Sequence, residues 1–171
     1  MGKKASGSAR GSTPAIAALE AAGVEHHVHQ YQHDKRSTDY GAEAVTAMGR
    51  LAGAAPGQIF KTLVVVLDGK GLGVAVVPVP RQLSLKAAAK ALGASKVVMA
   101  DAAAVQRSSG YVLGGVSPVG QRTALPTVVD ASATEWETIC VSAGKRGLEI
   151  ELAPGDLVVV TGGIVADVAA G

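Results

Sequence analysis

The chain has 171 residues, almost half of them apolar, and a formal net charge of +2. This length suggests one domain with a substantial hydrophobic core, and the apolar runs are too short for a membrane span or a signal peptide. The single cysteine, Cys140, excludes an internal disulfide and any metal site built from several cysteines. These features predict a soluble cytoplasmic protein without a membrane partner.

Charge is distributed unevenly along the chain. Residues 1–12 contain three basic side chains and no acid, and the rest of the chain contains thirteen basic and fourteen acidic residues. The near-neutral remainder argues against a protein that coats DNA, although it leaves room for a local basic patch. We predict a disordered basic tail at 1–12 and a single domain over 13–171.

The sequence of the first half of that domain predicts two helices and three strands. Thr13 is a candidate N-cap before Pro14, and Thr38 or Asp39 can cap the next helix. Alternating or continuous apolar runs predict the strands, and residues 68–71 form a hairpin signal between two of them. The predicted helices span 15–22 and 40–48, and the predicted strands span 24–33, 60–67 and 73–79.

The second half continues with short elements. Ser84 and Asp101 are candidate caps for helices that run through residue 92 and about residue 107. Pro154 can begin a last helix, although the valines at 158–160 favour a strand. The predicted strands span 97–99, 126–130, 138–142 and 149–152. Helices and strands therefore mix without regular alternation, which predicts an α+β domain with a curled, mixed, barrel-like sheet.

All four histidines lie between residues 26 and 33. On a strand, His27, His29 and His33 would share one face with Tyr31. Histidines paired on a strand can bind zinc, but no cysteine or carboxylate completes a metal-binding spacing. A half-exposed polar face is therefore the favoured interpretation, and we predict no metal and no cofactor.

Two further features are better explained by structure than by chemistry. Cys140 lies in an apolar strand, where a free thiol behaves as a small hydrophobe unless a cation or a helix N-terminus activates it. Glycines alternate through residues 69–73, but this segment lacks the dinucleotide-binding spacing and joins two strands. We predict a core cysteine and a hairpin turn.

Two glycine-containing loops are better candidates for a site. Residues 114–120, with the sequence GGVSPVG, are not a nucleophile elbow, yet adjacent glycines can turn backbone N–H groups toward an anion. A tight structural loop is the alternative. Residues 142–147 place Lys145 and Arg146 between two glycines, which suits a phosphate group or, alternatively, a solvated charged turn.

Taken together, these elements resemble one family. The chain is similar to YbaK-type members of the YbaK/prolyl-tRNA-synthetase editing-domain superfamily over about residues 13–168. The order and spacing of six motifs carry the resemblance, and no single motif would suffice. They are Thr13-Pro14-Ala15, His29-x-Tyr31-x-His33-Asp34, Phe60-Lys61-Thr62-Leu63-Val64, the loop 114–120, Lys145-Arg146-Gly147-Leu148-Glu149, and Ala153-Pro154-Gly155-Asp156-Leu157.

The resemblance implies an enzyme that acts in trans on mischarged Cys-tRNA(Pro). It implies tRNA and prolyl-tRNA synthetase as partners, and a mechanism in which the thiol of the substrate attacks its own ester. The implied catalytic residues are Tyr31, Lys61 and Asp156. The predicted substrate-binding residues are Phe60, Gly114, Gly115, Val116, Ser117 and Ser142, and the predicted tRNA-binding residues are Lys86, Lys90, Lys145 and Arg146.

Two other functions stay open at this point. The chain is alternatively a deacylase for another mischarged amino acid, alanine or serine, or a non-catalytic module that binds tRNA or the synthetase. The intact Lys61 and the glycine loop favour an enzyme over a binding module. Sequence alone does not separate the amino acids, because that choice depends on the shape of the pocket.

Overall fold

Alternating apolar residues build two main β-sheets that face each other across one core. The computed structural model describes residues 12–171, so the predicted tail at 1–12 lies, apart from residue 12, outside the described residues. The ten strands are β1 His27–Gln30, β2 Phe60–Leu67, β3 Gly71–Pro78, β4 Gln82–Leu83, β5 Val97–Met99, β6 Thr127–Asp130, β7 Ile139–Lys145, β8 Leu148–Leu152, β9 Ile164–Ala166 and β10 Ala169–Ala170.

The larger sheet has five strands in the order β5-β2-β3-β6-β9. Its β2–β3 hairpin is antiparallel, whereas β3–β6 and β6–β9 are parallel. A second, antiparallel sheet has the order β1-β8-β7, and β4 pairs with β10. The sheet is mixed as predicted, but the strands form three sheets and no closed barrel, so the barrel-like description is not confirmed. An isolated bridge between Ile59 and Cys140 joins the two main sheets.

The core between the two main sheets is aliphatic. It contains inward-facing valines of β2, β3 and β6, the isoleucines of β7 and β8, and apolar side chains of three helices. A smaller cluster lies on the opposite face of the three-stranded sheet, where Ala44, Ala47 and Met48 pack against Ile59 and Cys140. Both faces of the three-stranded sheet are therefore covered at β7 and β8, whereas β1 is largely exposed.

Five α-helices lie within residues 12–171: α1 Pro14–Ala21, α2 Tyr40–Ala52, α3 Leu85–Leu92, α4 Ala102–Ser109 and α5 Pro154–Thr161. The side chains of Thr13, Asp39, Ser84 and Asp101 each accept a hydrogen bond from a backbone amide in the first turn, as N-caps do. Two short 3₁₀-helices, Pro56–Gln58 and Ala131–Glu135, complete the elements. No helix among these residues has the length and apolar character needed to span a bilayer.

The structure corrects several predicted boundaries. The last helix begins at Pro154 as predicted and includes the valines at 158–160 despite their preference for strands, because Gly162 ends α5 in the left-handed conformation. Helix α2 continues past Gly49 and ends before Gly53, which takes the left-handed conformation instead. The first strand covers only His27–Gln30, and the strands β4, β9 and β10 were not predicted.

Candidate functional site

A cavity of about 420 Å³ lies where β2, the first turns of α2, the glycine loop and the strands β7 and β8 meet. Most of its lining side chains are apolar, which suits a small ligand held by a few polar groups. The polar or charged lining side chains are those of Tyr40, Lys61, Thr62, Ser142 and Glu149. Five of the predicted site residues line it: Phe60, Lys61, Gly114, Val116 and Ser142.

Lys61 brings a positive charge to this cavity. Its ammonium Nζ donates a hydrogen bond to the carbonyl oxygen of Val79 at 3.3 Å. Desolvation lowers the pKa of Lys61, and the nearby carboxylate of Asp39 opposes that change. The stem is fixed on a strand while the charged end lies beside the cavity, so Lys61 can interact with an anionic or carbonyl group there.

The second polar wall comes from Ser142 on β7 and Glu149 on β8. The two residues are register partners in the antiparallel ladder. Glu149 is only 5% exposed, and its carboxyl group makes no hydrogen bond or ion pair within residues 12–171. Burial raises the pKa of Glu149 to about 8, so at neutral pH this group is mostly a neutral acid that can donate a hydrogen bond.

Sequence analysis did not identify Glu149 as a site residue. The segment Leu148–Leu152 alternates apolar and acidic residues, which is typical of a strand with one solvent-exposed face. Helix α2 and the cluster around Cys140 cover that face instead. The available signal was the position of Glu149 inside a motif that also supplies Lys145 and Arg146.

Tyr31 lies near this wall but does not line the cavity. Its backbone amide donates to the carbonyl oxygen of Gly147 at 2.9 Å, and its ring packs against the cluster that contains Cys140. Burial raises the pKa of Tyr31, and the charges of Glu149 and Glu43 raise it further. Tyr31 is therefore a neutral phenol beside Glu149 at neutral pH.

Close backbone approach explains the glycines at the start of the loop 114–120. Gly114 has φ +83°, and a Cβ there would lie 2.6 Å from the ring of Tyr40. A Cβ on Gly115 would lie 2.9 Å from the Cα of Lys145, so this residue lets the loop pack directly on the end of β7. Gly114 and Val116 face the cavity, whereas Gly115 and Ser117 are buried and do not line it.

Only part of the loop is available to a ligand through its backbone. The amide of Gly115 donates to the carbonyl oxygen of Val112 at 2.9 Å, and the hydroxyl of Ser117 accepts from the amide of Val119. Neither the amide of Gly114 nor that of Val116 has a hydrogen-bond partner among the described residues. These two amides remain as candidate donors to an anion.

Other predicted site residues lie away from the cavity lining. Asp156 is exposed in the first turn of α5. Lys86 and Lys90 are exposed on α3, the helix whose buried alanines pack against the other face of the five-stranded sheet. The structure therefore does not bring these three residues to the cavity.

Lys145 and Arg146 are both exposed at the end of β7. Arg146 lies close to the cavity because its guanidinium carbon is 4.8 Å from the centroid of the Tyr40 ring. Its Nε also donates to the carbonyl oxygen of Leu113, which lines the cavity. Arg146 therefore places a cation at the cavity rim.

Two of the histidines form hydrogen bonds with glutamates, and the cysteine lies in the core. His29 pairs with Glu151 at 2.8 Å, and His33 pairs with Glu43 at 2.6 Å. Within residues 12–171 no three histidine, cysteine or acidic side chains are grouped closely enough to hold a metal ion. Cys140 is fully buried, and desolvation raises its pKa to about 12, which confirms its place in the core.

Known proteins are similar to this chain in sequence and in fold. Residues 40–159 match the aminoacyl-tRNA editing domain family. An Enterococcus faecalis protein named "Putative Cys-tRNA(Pro)/Cys-tRNA(Cys) deacylase EbsC" is 37% identical over 145 residues, which cover 85% of this chain and 88% of that protein.

Two solved structures have the same fold. One is described as "a putative trans-editing enzyme for prolyl tRNA synthetase"; it is 28% identical with a TM-score of 0.78, and the match covers 92% of this chain and 96% of that one. A hypothetical protein is also 28% identical, with a TM-score of 0.79 and coverage of 92% and 100%. The resemblance inferred from the motifs is thereby confirmed, and the chain belongs to the aminoacyl-tRNA editing domain family.

Proposed function

We propose that this chain deacylates mischarged Cys-tRNA(Pro) in trans. Its membership of the editing family and the printed names of its relatives support a deacylase. The observation that carries the proposal is the composition of the cavity: Lys61 supplies a cation and Glu149 a neutral acid, but no nucleophile paired with a base lines it among residues 12–171. A site of this kind orients a reactive substrate instead of attacking it.

The protein's own nucleophiles are poorly placed for attack. No histidine or cysteine lines the cavity, so Ser142 has no imidazole there to remove its proton. The Ser142 hydroxyl instead accepts a hydrogen bond from the amide of Gly144 at 3.2 Å. Cys140 is buried as a neutral thiol. The attacking group therefore comes from the substrate or from water.

A cysteinyl ester carries its own nucleophile. The thiol loses its proton to solvent, and the resulting thiolate sulfur attacks the ester carbonyl carbon. A carbon–sulfur bond forms, the bond from that carbon to the ribose oxygen breaks, and the ribose oxygen takes up a proton. The products are free tRNA and a cyclic thiolactone. Holding sulfur and carbonyl together gives the rate advantage of an intramolecular reaction.

Three groups at the cavity have roles in this reaction. The Lys61 ammonium favours the thiolate over the thiol and attracts charge that develops on the carbonyl oxygen. The free amides of Gly114 and Val116 are candidate donors to the same oxygen. Glu149, protonated at neutral pH, can donate a hydrogen bond to the substrate. Asp156 is exposed and does not line the cavity, so it has no role in this step.

The biological need for such an enzyme follows from the similar sizes of cysteine and proline. A synthetase pocket that admits proline discriminates poorly against cysteine, which is similarly small, so a second site must remove the error. We accordingly propose prolyl-tRNA synthetase as the partner and the cytoplasm as the place of action. The near-neutral composition of residues 13–171 agrees with a protein that gains tRNA specificity from a partner.

A deacylation panel tests the proposal directly. The purified protein is incubated with Cys-, Ala-, Ser- and Pro-tRNA(Pro), and the remaining ester is measured over time. We expect rapid loss of the cysteinyl ester and little loss of the prolyl ester. Preferential release of alanine or serine would instead assign the other substrate class, and stable esters throughout would reject a deacylase.

A further inference from the structure

The Tyr40 ring and the Arg146 guanidinium form a stacked pair at the rim of the cavity. The guanidinium carbon lies 4.8 Å from the ring centroid, within the range of a cation–π contact. Tyr40 lines the cavity, whereas Arg146 is exposed and does not. The stack therefore extends from the cavity wall into solvent.

Several contacts hold this stack in place. Tyr40 is the first residue of α2, and its ring lies against the backbone of Gly114 so closely that a Cβ there would be 2.6 Å away. The ring of His33 lies 5.8 Å from that of Tyr40, between centroids, and His33 is itself paired with Glu43. A ring with these neighbours has little freedom to rotate away.

Arg146 is fixed from a second direction. Its Nε donates to the carbonyl oxygen of Leu113 at 2.7 Å, and this bond and the contact with Tyr40 define the plane of an otherwise exposed guanidinium. That bond uses one of the five N–H donors of the side chain. The adjacent Lys145 is exposed without such contacts, which suits a point charge for a phosphate better than a defined surface.

A planar cation beside the cavity mouth matches one part of an aminoacyl-tRNA. The ester that must enter the cavity is attached to the ribose of the terminal adenosine, so the adenine base necessarily lies near the mouth. Single-stranded RNA ends are recognised by stacking their bases on aromatic rings or on arginine planes. We propose that the Tyr40–Arg146 stack is the platform on which the terminal adenine packs, an inference that rests on the proposed deacylase function.

A thermodynamic cycle between substrate and protein tests this platform. Two Cys-minihelices are prepared, one ending in adenosine and one ending in a ribose without a base, and KM is measured with the wild type and with Arg146→Ala. Since stacking on a side chain contributes about 1–3 kcal/mol per base, loss of the base should raise KM about tenfold or more in the wild type. In Arg146→Ala, loss of the base should change KM less than twofold.

Two further variants separate the effect of planarity from that of charge and provide a control. Arg146→Lys keeps the charge but removes the plane, so it should behave as Arg146→Ala does. Arg36→Ala removes an exposed arginine that pairs with Asp34, and it should respond to base removal as the wild type does. Thermal unfolding verifies that each variant is folded. An equal effect of base removal in the wild type and in both Arg146 variants would overturn the platform.

The inference and the proposed function fail in distinguishable ways. If the wild type hydrolyses Cys-minihelices but base removal and Arg146 act independently, only the platform is rejected. If no ester is hydrolysed, binding of the uncharged trinucleotide CCA is followed by the NMR signals of the Tyr40 ring. Shifts seen in the wild type and lost in Arg146→Lys support the platform without catalysis, and an absence of shifts rejects it.

Discussion

Ser142 and Glu149 are register partners on adjacent antiparallel strands, and both line the cavity that Lys61 also borders. Glu149 lies on the face covered by α2, so burial raises its pKa. The hydroxyl of Ser142 accepts a hydrogen bond from Gly144 instead of binding Glu149. Within the described part of the chain, the pair therefore brings an acid without a hydrogen-bond partner to a cavity that offers no activated hydroxyl.

The pKa of Glu149 predicts a pH dependence of stability. Because burial raises this pKa from 4.5 to about 8, the folded state holds a proton that the unfolded chain has released between those values. The free energy of unfolding should therefore decrease as pH rises from about 5 to 8, and stay low above 8. Urea titrations of Glu149→Gln should lack this decrease.

Glu151→Gln is the matched control for that experiment. Glu151 lies two residues away on the same strand, but its pKa is lowered, mainly by a hydrogen bond from the Thr138 hydroxyl and further by His29. Its contribution to stability is present above the unfolded pKa and is lost as the pH falls toward the acid range. Equal slopes for the wild type and Glu149→Gln between pH 5 and 8 would contradict the assignment.

Lys61→Ala should stay folded and lose most deacylation. Within residues 12–171 the ammonium makes one hydrogen bond, to the backbone carbonyl of Val79, so the fold loses little. Removing one group that stabilises developing charge typically costs about 100-fold or more in kcat. Lys70→Ala, an exposed lysine in the β2–β3 turn, is the control. Wild-type rates in Lys61→Ala, measured as single-turnover deacylation, would remove Lys61 from the mechanism.

Cys140→Ser should keep its activity and lose stability. The fully buried thiol has apolar neighbours in the cluster under α2, and a hydroxyl left without a partner there should cost about 1–3 kcal/mol. Cys140→Ala, which buries no polar group, serves as the comparison in denaturant titrations. A folded but inactive Cys140→Ser would indicate that this thiol takes part in the reaction.

The proposed mechanism requires a free thiol on the substrate. A tRNA(Pro) charged with S-methylcysteine presents a ligand of similar size that cannot attack its own ester, so its hydrolysis should be slower by at least about 100-fold, given the advantage of intramolecular reactions. Quench-flow measurements under single-turnover conditions compare the two esters. Similar rates would rule out the substrate-assisted route and indicate an activated water.

The predicted tRNA-binding lysines and arginine should separate into two groups. Arg146 lies at the cavity rim and Lys145 is exposed next to it, so replacing both with alanine should weaken tRNA binding about tenfold at low salt. Loss of one phosphate contact at Lys145 should make the salt slope shallower by about 0.7. Lys86 and Lys90 lie on α3 across the five-stranded sheet. Replacing them should change the affinity less than twofold. Filter binding at several salt concentrations provides both comparisons. A larger loss of affinity on replacing Lys86 and Lys90 would indicate that the tRNA binds at α3 instead.

Local signals in the sequence predicted the helices well. The side chains of Thr13, Ser84 and Asp101 cap helices where predicted, because capping depends on residues that are adjacent in sequence. The helix predicted from Pro154 is present, because Pro154, Gly162 and the buried Leu157 outweigh the β-propensity of the valines at 158–160. The short strands β4, β9 and β10 depend on distant partners, which local patterns do not reveal.

The candidate site was predicted only in part. Lys61 lines the cavity together with Gly114 and Val116 of the glycine loop, whereas Gly115 and Ser117 do not. Glu149 was missed because an alternating strand conceals which of its faces is covered by a helix. Asp156 belongs to a motif that matches the family, yet it lies on an exposed turn. Motif membership identified the right segments, while the three-dimensional packing decided which side chain in each segment reaches the cavity.

The bridge between Ile59 and Cys140 has a consequence for how the molecule assembles. It joins two segments that lie far apart in the chain, and the cavity walls on β2 and β7 meet beside it. Closing so long a loop costs entropy before any contact compensates for it, and folds rich in such non-local contacts fold slowly. The cavity therefore cannot form in an isolated half of the chain, and recovery of activity during refolding should coincide with the last cooperative step.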